Sequence, residues 1–246
     1  MPHPSNRSAL ELFLNRLTSH SPLNEEERAK ILALPTSPFE LAQHADIART
    51  GEMLDCVCLV AEGLIGRFGQ REDGGRQFVS VHVPGEMVNL SSLMLPPSAI
   101  VLHALTGSSI LRVPHDSLRD LSFRYPAIAA AFWRDCVLDT GILAQWVINL
   151  GSRQARSRLA HLFCEFSVRY RLMDQSDGRT FRLPMTQEQL GDALGLTPVH
   201  INRTLQGLRG DGMVSFERGR VEVLDPQLLE ATAEFDPGYL MPPEIE

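Results

Sequence analysis

The most informative part of the chain is the stretch Thr186-Gln-Glu-Gln-Leu-Gly-Asp-Ala-Leu-Gly-Leu-Thr-Pro-Val-His-Ile-Asn-Arg-Thr-Leu-Gln-Gly-Leu-Arg209. Thr186 is followed three residues later by a glutamine, and this capping-box spacing predicts the start of a helix. Gly195 predicts the end of that helix, because a residue without a Cβ adopts a left-handed turn at low cost. Thr197 and Pro198 then predict the N-cap and the first position of a second helix. The pattern is typical of a helix-turn-helix.

The spacing of residues within this stretch separates an apolar face from a polar face. The apolar set is expected to form the core between the two helices and consists of Leu190, Leu194, Leu196, Ile201, Leu205 and Leu208. The second helix would then present to solvent Val199, Asn202, Arg203, Gln206 and Arg209. A helix that reads the major groove of DNA needs such hydrogen-bonding groups and cations on its free face. An ordinary helix-loop-helix with a solvated polar face is the alternative.

A hairpin after the second helix favours the DNA-binding interpretation. Met213–Glu217 and Arg220–Leu224 read as two short strands on either side of an Arg-Gly turn. In this wing, Arg218 and Arg220 would lie near the phosphate backbone of bound DNA. The net charge of the chain is −7, but residues 151–225 hold 11 arginines against 9 acidic residues. A local basic module is sufficient, because DNA affinity depends on local phosphate contacts.

The region before these helices has the pattern of an all-β sandwich or barrel. Residues 39–115 contain short apolar runs separated by Gly, Pro and Asp turns at intervals of roughly 8–12 residues. Asp73-Gly74 is a strong hairpin signal within this region. Residues 8–34 before it read as helical. The chain is therefore expected to be of the α+β class.

A long helix is predicted between the β region and the helix-turn-helix. Ala129, Trp133, Cys136, Thr140, Leu143, Val147 and Leu150 repeat at alternating spacings of 4 and 3, which is a coiled-coil seam. A second apolar set on another face consists of Val137, Ala144 and Ile148. A helix with two apolar faces must bury both, so we expect one face on its own β domain and the other on a partner subunit. The predicted dimer interface is Trp133, Cys136, Thr140, Leu143, Val147 and Leu150. A helix buried entirely within one monomer is the alternative.

Composition and motif searches narrow the class of protein. No stretch approaches 18 uncharged apolar residues, and the N-terminus lacks the long apolar segment of a secretory signal. From these two features we expect no association with a membrane. The four cysteines form no CxxC pair, so we expect a reduced, cytoplasmic protein. No GxSxG, P-loop, HExxH or GxGxxG motif is present. We therefore expect no enzyme, no catalytic residues, no metal site and no cofactor.

Together, these features resemble the CRP/FNR family of bacterial transcription regulators over nearly the full length of the chain. The matching features occur in the order of the family: Glu62-Gly63 between two strands, Asp73-Gly74 in a hairpin, Pro84-Gly85-Glu86 at the start of the ligand cassette, the long helix, and the winged helix-turn-helix. The resemblance implies a jelly-roll effector-type domain over 1–125, a dimerisation helix over 126–151, a winged helix-turn-helix over 152–230 and an acidic tail over 231–246. It also implies a homodimer that binds a pseudo-palindromic operator in double-stranded DNA and contacts RNA polymerase. We expect the tail from about 231 to be poorly ordered.

The resemblance also assigns roles within the helix-turn-helix. Arg203 matches the family arginine that reads guanine in the major groove. The family glutamate four positions earlier is replaced by Val199, which predicts a different base preference at that step, such as contact with a thymine methyl group. Thr186 and His200 match positions that contact phosphates. The complete set of predicted DNA-binding residues is Thr186, Thr197, Pro198, Val199, His200, Asn202, Arg203, Gln206, Arg209, Arg218 and Arg220.

The effector cassette departs from the pattern of the cyclic-AMP binders. Gly85 and Glu86 match the residues that hold the ribose of a cyclic nucleotide. The Arg-Ser pair that clamps the phosphate is replaced by Pro97-Ser98, so a buried phosphate would lack a compensating cation. We therefore expect no ordinary response to cyclic AMP, and the effector stays unknown. The predicted effector pocket consists of Gly85, Glu86, Met87, Asn89 and Ser98. Within this region, Asn89, Ser91 and Ser92 are available to another polar ligand.

Other modes of sensing and another class of function stay open. The chain has no cysteine before Cys56, so the N-terminal cysteines of the cluster-binding members are missing. Cys56 and Cys58 lie on one face of a strand and leave a redox role open, although buried packing is the simpler interpretation. His82 leaves haem ligation open in the same way. The remaining alternative is a ligand-sensing module whose helix-turn-helix binds protein instead of DNA.

Overall fold

The structure is a computed structural model that describes residues 6–70, 75–94, 101–173 and 175–241. Two features singled out in the sequence, Asp73-Gly74 and Pro97-Ser98, lie outside the described residues. The chain divides into two compact units. The β unit comprises residues 1–69 and 81–139, and the winged-helix unit comprises residues 70–80 and 140–246.

The β unit begins with two helices and continues into antiparallel strands. The helices are α1 (Asn6–Thr18) and α2 (Glu25–Leu32). The strands are β1 (Ser37–Leu41), β2 (Asp46–Ala48), β3 (Cys56–Glu62), β4 (Ile65–Gln70), β5 (Arg76–His82), β6 (Val101–Ala104) and β7 (Ser108–Pro114). One sheet has the order β1-β7-β3 and the other β2-β6-β4-β5, which gives the predicted two-sheet β architecture. Strand β5 has residues in both units.

Two apolar layers hold the β unit together. One lies between the sheets and includes Cys58, Val60 and Ile110, all of them fully buried. The other packs α1 against β3 and the start of the next long helix, and the rings of Phe13 and Phe132 are 6.1 Å apart between centroids. Helix α1 is therefore part of the core of this unit.

A short helix and a long helix follow the sheets. These are α3 (His115–Arg124) and α4 (Pro126–Ser152), and α4 contributes residues to both units. Of the predicted interface residues on α4, Trp133, Thr140 and Val147 are exposed, whereas Cys136, Leu143 and Leu150 are half-buried. Val137, Ala144 and Ile148, the second apolar set, are exposed. None of the helices in the described ranges combines the length and apolarity needed to cross a membrane.

The winged-helix unit contains the predicted helix-turn-helix and hairpin. Its elements are α5 (Ala155–Leu172), β8 (Thr180–Arg182), α6 (Gln187–Leu194), α7 (Pro198–Gly210), β9 (Val214–Glu217), β10 (Arg220–Val223) and α8 (Pro226–Ala233). The sheet of this unit has the order β8-β10-β9, so the predicted hairpin gains a third strand. The α+β class expected from the sequence is confirmed.

The prediction of a poorly ordered tail is wrong for residues 231–241. After α8, Pro237–Tyr239 form a 3₁₀ turn, and Leu240 is buried. The Tyr239 hydroxyl donates to Glu165 Oε2 at 3.0 Å, and the Trp146 indole donates to both oxygens of the same carboxylate at 3.1 Å. Burial raises the pKa of Glu165, although Arg169 opposes the rise. Acidic and proline-rich composition misled the prediction, because a few buried side chains fix this segment.

Candidate DNA-binding surface and ligand cassette

The helix-turn-helix is fixed by the capping residues that the sequence indicated. Thr186 Oγ1 accepts from the backbone N–H of Gln189 at 3.1 Å, and the Gln189 side chain accepts from the N–H of Thr186 at 2.9 Å. Gly195 ends α6 in the left-handed region with a φ of 65°. Thr197 Oγ1 accepts from the N–H of His200 at 3.3 Å, with Pro198 in the first turn of α7. The start of each helix and the turn between them are therefore determined by residues that are close in the sequence.

The turn between α6 and α7 passes so close to Gly191 that no larger residue fits at this position. A Cβ on Gly191 would fall against the carbonyl oxygen of Leu196, which is within the turn. The backbone N–H of Leu196 donates to the Gly191 carbonyl at 3.0 Å. Arg158 on α5 donates to the Leu194 carbonyl at 2.9 Å and satisfies an acceptor at the end of α6. The angle between the two helices is therefore set by backbone contact.

Helix α7 buries its apolar face and exposes the polar face predicted from the spacing. Ile201, Leu205 and Leu208 are buried, and Leu196 in the turn before them is half-buried. Val199 is 72% exposed. The exposed side forms a shallow groove lined by Gln187, Pro198, Val199, Asn202, Arg203 and Gln206. The structure therefore gathers five predicted contact residues in one place, namely Pro198, Val199, Asn202, Arg203 and Gln206.

The polar groups of this groove have few partners of their own. Within the described residues, the Arg203 guanidinium makes no hydrogen bond and no ion pair. Asn202 donates to Gln187 at 3.5 Å, a distance at which the contact is weak. Sequence reasoning missed Gln187, although its position directly after the Thr186 cap was the available signal. These polar groups are therefore available to contact another molecule.

The wing carries its two predicted arginines at an exposed turn. Arg218 and Gly219 both have positive φ values, of 49° and 73°, as expected of a tight two-residue hairpin turn. A Cβ on Gly219 would lie 2.7 Å from the Cα of Pro184, so only glycine fits there. Arg218 and Arg220 are exposed. Arg209, predicted to face outward, does so but also contacts Glu217 at 3.4 Å.

The residues predicted to form an effector pocket have internal roles in the β unit. The Gly85 N–H donates to the Val60 carbonyl at 2.9 Å, and its φ is 94°. Met87 is buried and forms a β-bridge with Leu59. Asn89 Oδ1 accepts from the Cys58 N–H at 2.8 Å, and Asn89 Nδ2 donates to the Cys56 carbonyl at 3.0 Å. Ser98 lies outside the described residues. The Asn89 amide therefore serves as a substitute strand partner for β3.

Glu86, the fifth predicted pocket residue, is bound by an arginine that sequence reasoning missed. Arg16 on α1 contacts Glu86 Oε1 at 2.9 Å, Asp135 Oδ1 at 2.6 Å and Asp139 Oδ1 at 2.9 Å. Arg16 is only 7% exposed, and Glu86 and Asp135 are each 1% exposed. His82 Nδ1 lies 3.4 Å from Glu86 Oε2. No local sequence signal marks Arg16, because its partners lie 70 to 123 residues away.

Electrostatics in this cluster favour a charged Arg16. Burial alone would lower the pKa of Arg16, but the carboxylates of Asp135, Glu86 and Asp139 outweigh it and raise the pKa. Burial alone would raise the pKa of Asp135, but Arg16 and His20 hold it below its ordinary value. For Asp139, burial dominates and raises the pKa despite Arg16.

The residues considered for redox or metal chemistry are also buried. Cys56 and Cys58 carry free thiols. The thiol of Cys58 lowers the pKa of Cys56 by hydrogen bonding, and the pKa of Cys58 itself is raised by the same contact and by burial. In the described part of the chain, no group of three or more His, Cys, Asp or Glu side chains is arranged to hold a metal ion.

Comparison with protein families finds a match in each region. Residues 38–125 match the cyclic nucleotide-binding domain. Residues 157–232 match the Crp-like helix-turn-helix domain. The two matches occur in the order that the sequence analysis expected.

Relatives and solved structures agree with these matches. The chain is 26% identical over 185 residues to the transcriptional activator protein Anr of Pseudomonas protegens, covering 75% of each chain. It is 29% identical over 171 residues to the regulatory protein HlyX of Actinobacillus pleuropneumoniae, covering 70% of this chain and 71% of HlyX. Its fold is similar to that of FixK2 from Bradyrhizobium japonicum, with a TM-score of 0.72 and 23% identity over 81% of this chain and 98% of FixK2.

Proposed function

The chain belongs to the CRP/FNR family of DNA-binding transcription regulators, and we propose that it binds a pseudo-palindromic operator as a homodimer without needing cyclic AMP. The observation that carries this proposal is the exposed polar face of α7. Asn202, Arg203 and Gln206 face outward on a helix whose opposite side is buried. An apolar face held by the protein and a free face of donors is what insertion into the major groove requires.

Specific roles follow from the chemistry of each exposed side chain. Arg203 offers a bidentate donor to guanine, and Val199 offers an apolar contact to a thymine methyl group. Gln206 and Asn202 have the amide groups that pair with adenine. The residues that we assign to the phosphates are Thr186, Thr197, His200, Arg209, Arg218 and Arg220, whereas Pro198 lines the groove beside Val199. The phosphate contacts position the helix, and the base contacts select the sequence.

The homodimer is supported by an apolar surface on α4. Trp133 is 64% exposed, Val137 66% and Val147 64%, although large apolar side chains seldom cluster on a surface without a partner. Trp133 and Val147 belong to the predicted coiled-coil seam, and Val137 belongs to the second apolar set. We propose an interface centred on Trp133, Val137, Thr140 and Val147, with Cys136, Leu143 and Leu150 at its edge. Two-fold symmetry then explains why the operator would be pseudo-palindromic.

Independence from cyclic AMP is supported by the state of the ligand cassette. The carboxylate of Glu86, which would hold a ribose, already binds Arg16. The position expected to clamp a phosphate is Pro97-Ser98, which supplies no cation. We propose that the cassette does not take an ordinary cyclic nucleotide as its effector.

RNA polymerase is the proposed partner in transcription. Anr is named a transcriptional activator, and an activator bound beside a promoter acts by recruiting the polymerase. In vitro transcription from a template carrying the selected operator upstream of a promoter tests this proposal. Activation that depends on the position of the operator is expected, and unchanged transcription at every position would count against the contact.

Selection of duplexes from a randomised DNA library, followed by fluorescence anisotropy, tests DNA binding. We expect the purified dimer to prefer the selected duplex over a scrambled one, with a steep loss of affinity as salt rises. Added cyclic AMP should leave both affinities unchanged. A folded dimer that enriches no sequence and binds no DNA at low salt would favour a protein-interaction module instead. Binding that appears only with cyclic AMP would show that the cassette takes the nucleotide.

A further inference from the structure

The buried cluster around Arg16 contains more negative than positive formal charge. One guanidinium is surrounded by the carboxylates of Glu86, Asp135 and Asp139, with His82 and His20 at its edge. Buried charges are tolerated only when they are paired and hydrogen-bonded, because leaving water is costly. The cluster therefore depends on Arg16, the cation that contacts all three acids.

The geometry of the contacts is that of a site built for a planar guanidinium. Three different nitrogens of Arg16 each reach a different carboxylate: Nε reaches Asp135 at 2.6 Å, Nη1 reaches Glu86 at 2.9 Å, and Nη2 reaches Asp139 at 2.9 Å. A guanidinium presents five N–H donors in a fixed plane, whereas an ammonium is a compact point charge. A lysine at position 16 would be unable to serve three acids on three sides at once.

The three acids come from two different parts of the β unit. Glu86 belongs to the ligand cassette, and Asp135 and Asp139 lie one helical turn apart on α4. Arg16 is supplied by α1, which packs into the core between β3 and α4 through Phe13 and Leu17. The guanidinium therefore ties the cassette to the long helix from inside the protein.

This tie also determines which side of α4 faces outward. Asp135 is buried, whereas Trp133 and Val137, two residues away on either side, are more than 60% exposed. If the Asp135 side of α4 is held against the cassette, Trp133 and Val137 remain on the free side of the helix. These two residues belong to the proposed dimer interface.

We propose that Glu86, Asp135 and Asp139 form a guanidinium-binding site that Arg16 fills from within the chain, and that this occupied site holds α4 with its dimer face outward. The arginine that joins cassette and helix comes from α1 of the same chain. The inference rests on the proposed function only for its last step, which links α4 to the homodimer.

Rescue of an Arg16→Ala variant by methylguanidinium tests the site directly. Removing Arg16 takes away the one cation that Glu86, Asp135 and Asp139 share, so we expect the Tm of the full chain to fall by about 10 °C. Methylguanidinium at millimolar concentration should bind the vacated site and restore part of the Tm, and methylammonium at the same concentration should not. Arg28→Ala, which removes an exposed arginine of α2 and its one hydrogen bond to the Leu23 carbonyl, should lower the Tm much less and show no rescue. An unchanged Tm for Arg16→Ala, or equal effects of the two ions, would overturn the proposal.

A second variant covers the case in which Arg16→Ala cannot be purified. Arg16→Lys keeps the charge but loses the planar donor set, so we expect a folded protein whose Tm is lower by about 5 °C. A Tm equal to that of the wild type would show that any cation suffices and would overturn the guanidinium site.

Sedimentation of the same variants tests the link to the dimer. The dimer Kd of Arg16→Lys should rise by about tenfold, and that of Arg28→Ala should stay the same. A destabilised variant with an unchanged dimer Kd would overturn the claim that the site orients α4. Neither measurement uses DNA, so a failure of DNA binding by the wild type would reject the proposed function alone.

Discussion

In the winged-helix unit, the polar side chains predicted to act lie in the open, whereas in the β unit they are buried. Asn202 and Arg203 face solvent with few internal partners. Glu86 and Asn89 are at most 8% exposed and are hydrogen-bonded to their own chain. Both pairs were selected from the sequence as candidate contacts to another molecule. The difference shows that a surface which reads a partner leaves its donors unsatisfied, whereas a cassette that joins parts of the fold uses them internally.

The strongest test of this contrast is Asn89→Ala. The variant leaves the Cys58 N–H and the Cys56 carbonyl without their partner inside the protein. Each such loss costs about 1–3 kcal/mol, so we expect the free energy of unfolding to fall by about 3 kcal/mol. Chemical denaturation measures it. Asn202→Ala, on the exposed surface, should change stability by no more than about 0.5 kcal/mol. Equal stability losses for the two asparagines would remove the distinction.

The reverse test is Arg203→Ala, which should reduce DNA affinity and leave stability alone. Loss of a bidentate contact to guanine costs about 2 kcal/mol, or roughly thirtyfold in affinity for the selected duplex. Anisotropy with the selected and a scrambled duplex measures this loss. Arg124→Ala removes the same charge from an exposed position in the β unit and serves as the control. If affinity for both duplexes falls equally, Arg203 contacts phosphate and does not read a base.

His161 sharpens the comparison, because it is a buried polar residue within the winged-helix unit. Burial beside Phe235 and Tyr239, with the charge of Arg153, lowers its pKa to about 4. In the unfolded chain the histidine has its ordinary pKa of about 6.5. Between this pKa and that of the folded chain, the unfolded chain binds a proton that the folded chain does not bind. Stability should fall as pH drops through this window, by about 2 kcal/mol between about pH 7 and pH 5.

Unfolding of His161→Met across this pH range isolates the contribution. The variant should lose about 2 kcal/mol less than the wild type on acidification. His200→Met, at an exposed position on α7, should follow the wild-type curve. If His161→Met and His200→Met show the same pH dependence, burial of His161 does not govern acid stability.

The smallest expected effect belongs to the wing. Arg220→Ala should weaken binding to the selected and the scrambled duplex alike, by about threefold, and lower the slope of log affinity against log salt by about one. A salt titration of both duplexes gives the slope. Arg171→Ala, at an exposed position on α5, should leave the slope unchanged. Loss of discrimination between the duplexes would instead assign Arg220 a role in base reading.

Local signals in the sequence were sufficient to predict the helix-turn-helix and the polar face of its second helix. The caps at Thr186 and Thr197 and the left-handed Gly195 each depend on neighbours within a few residues. The polar face of α7 followed from helical periodicity alone. These features could be predicted because backbone geometry and side-chain spacing determine them without reference to distant parts of the chain.

Long-range contacts could not be predicted from the sequence. Nothing near Arg16 marks it as the partner of three acids that lie far along the chain. The heptad pattern also did not specify which side of α4 faces outward, since both apolar sets have helical spacing. The structure exposes Val137, from the second set, together with Trp133 and Val147 from the first. Such choices are made by packing, which a single sequence does not specify.

The contacts of Tyr239 bear on the fate of incomplete chains. A polypeptide released shortly after α8 would contain the whole helix-turn-helix and wing but would lack the Tyr239 hydroxyl that binds Glu165. The buried carboxylate of Glu165 would lose one of its hydrogen-bond donors, and His161 would lose the Tyr239 ring that stacks on it. Truncated products would therefore unfold and be degraded more readily than full-length chains. In this way the residues up to Met241, the last that the structure describes, would favour full-length chains over fragments at the proposed operator.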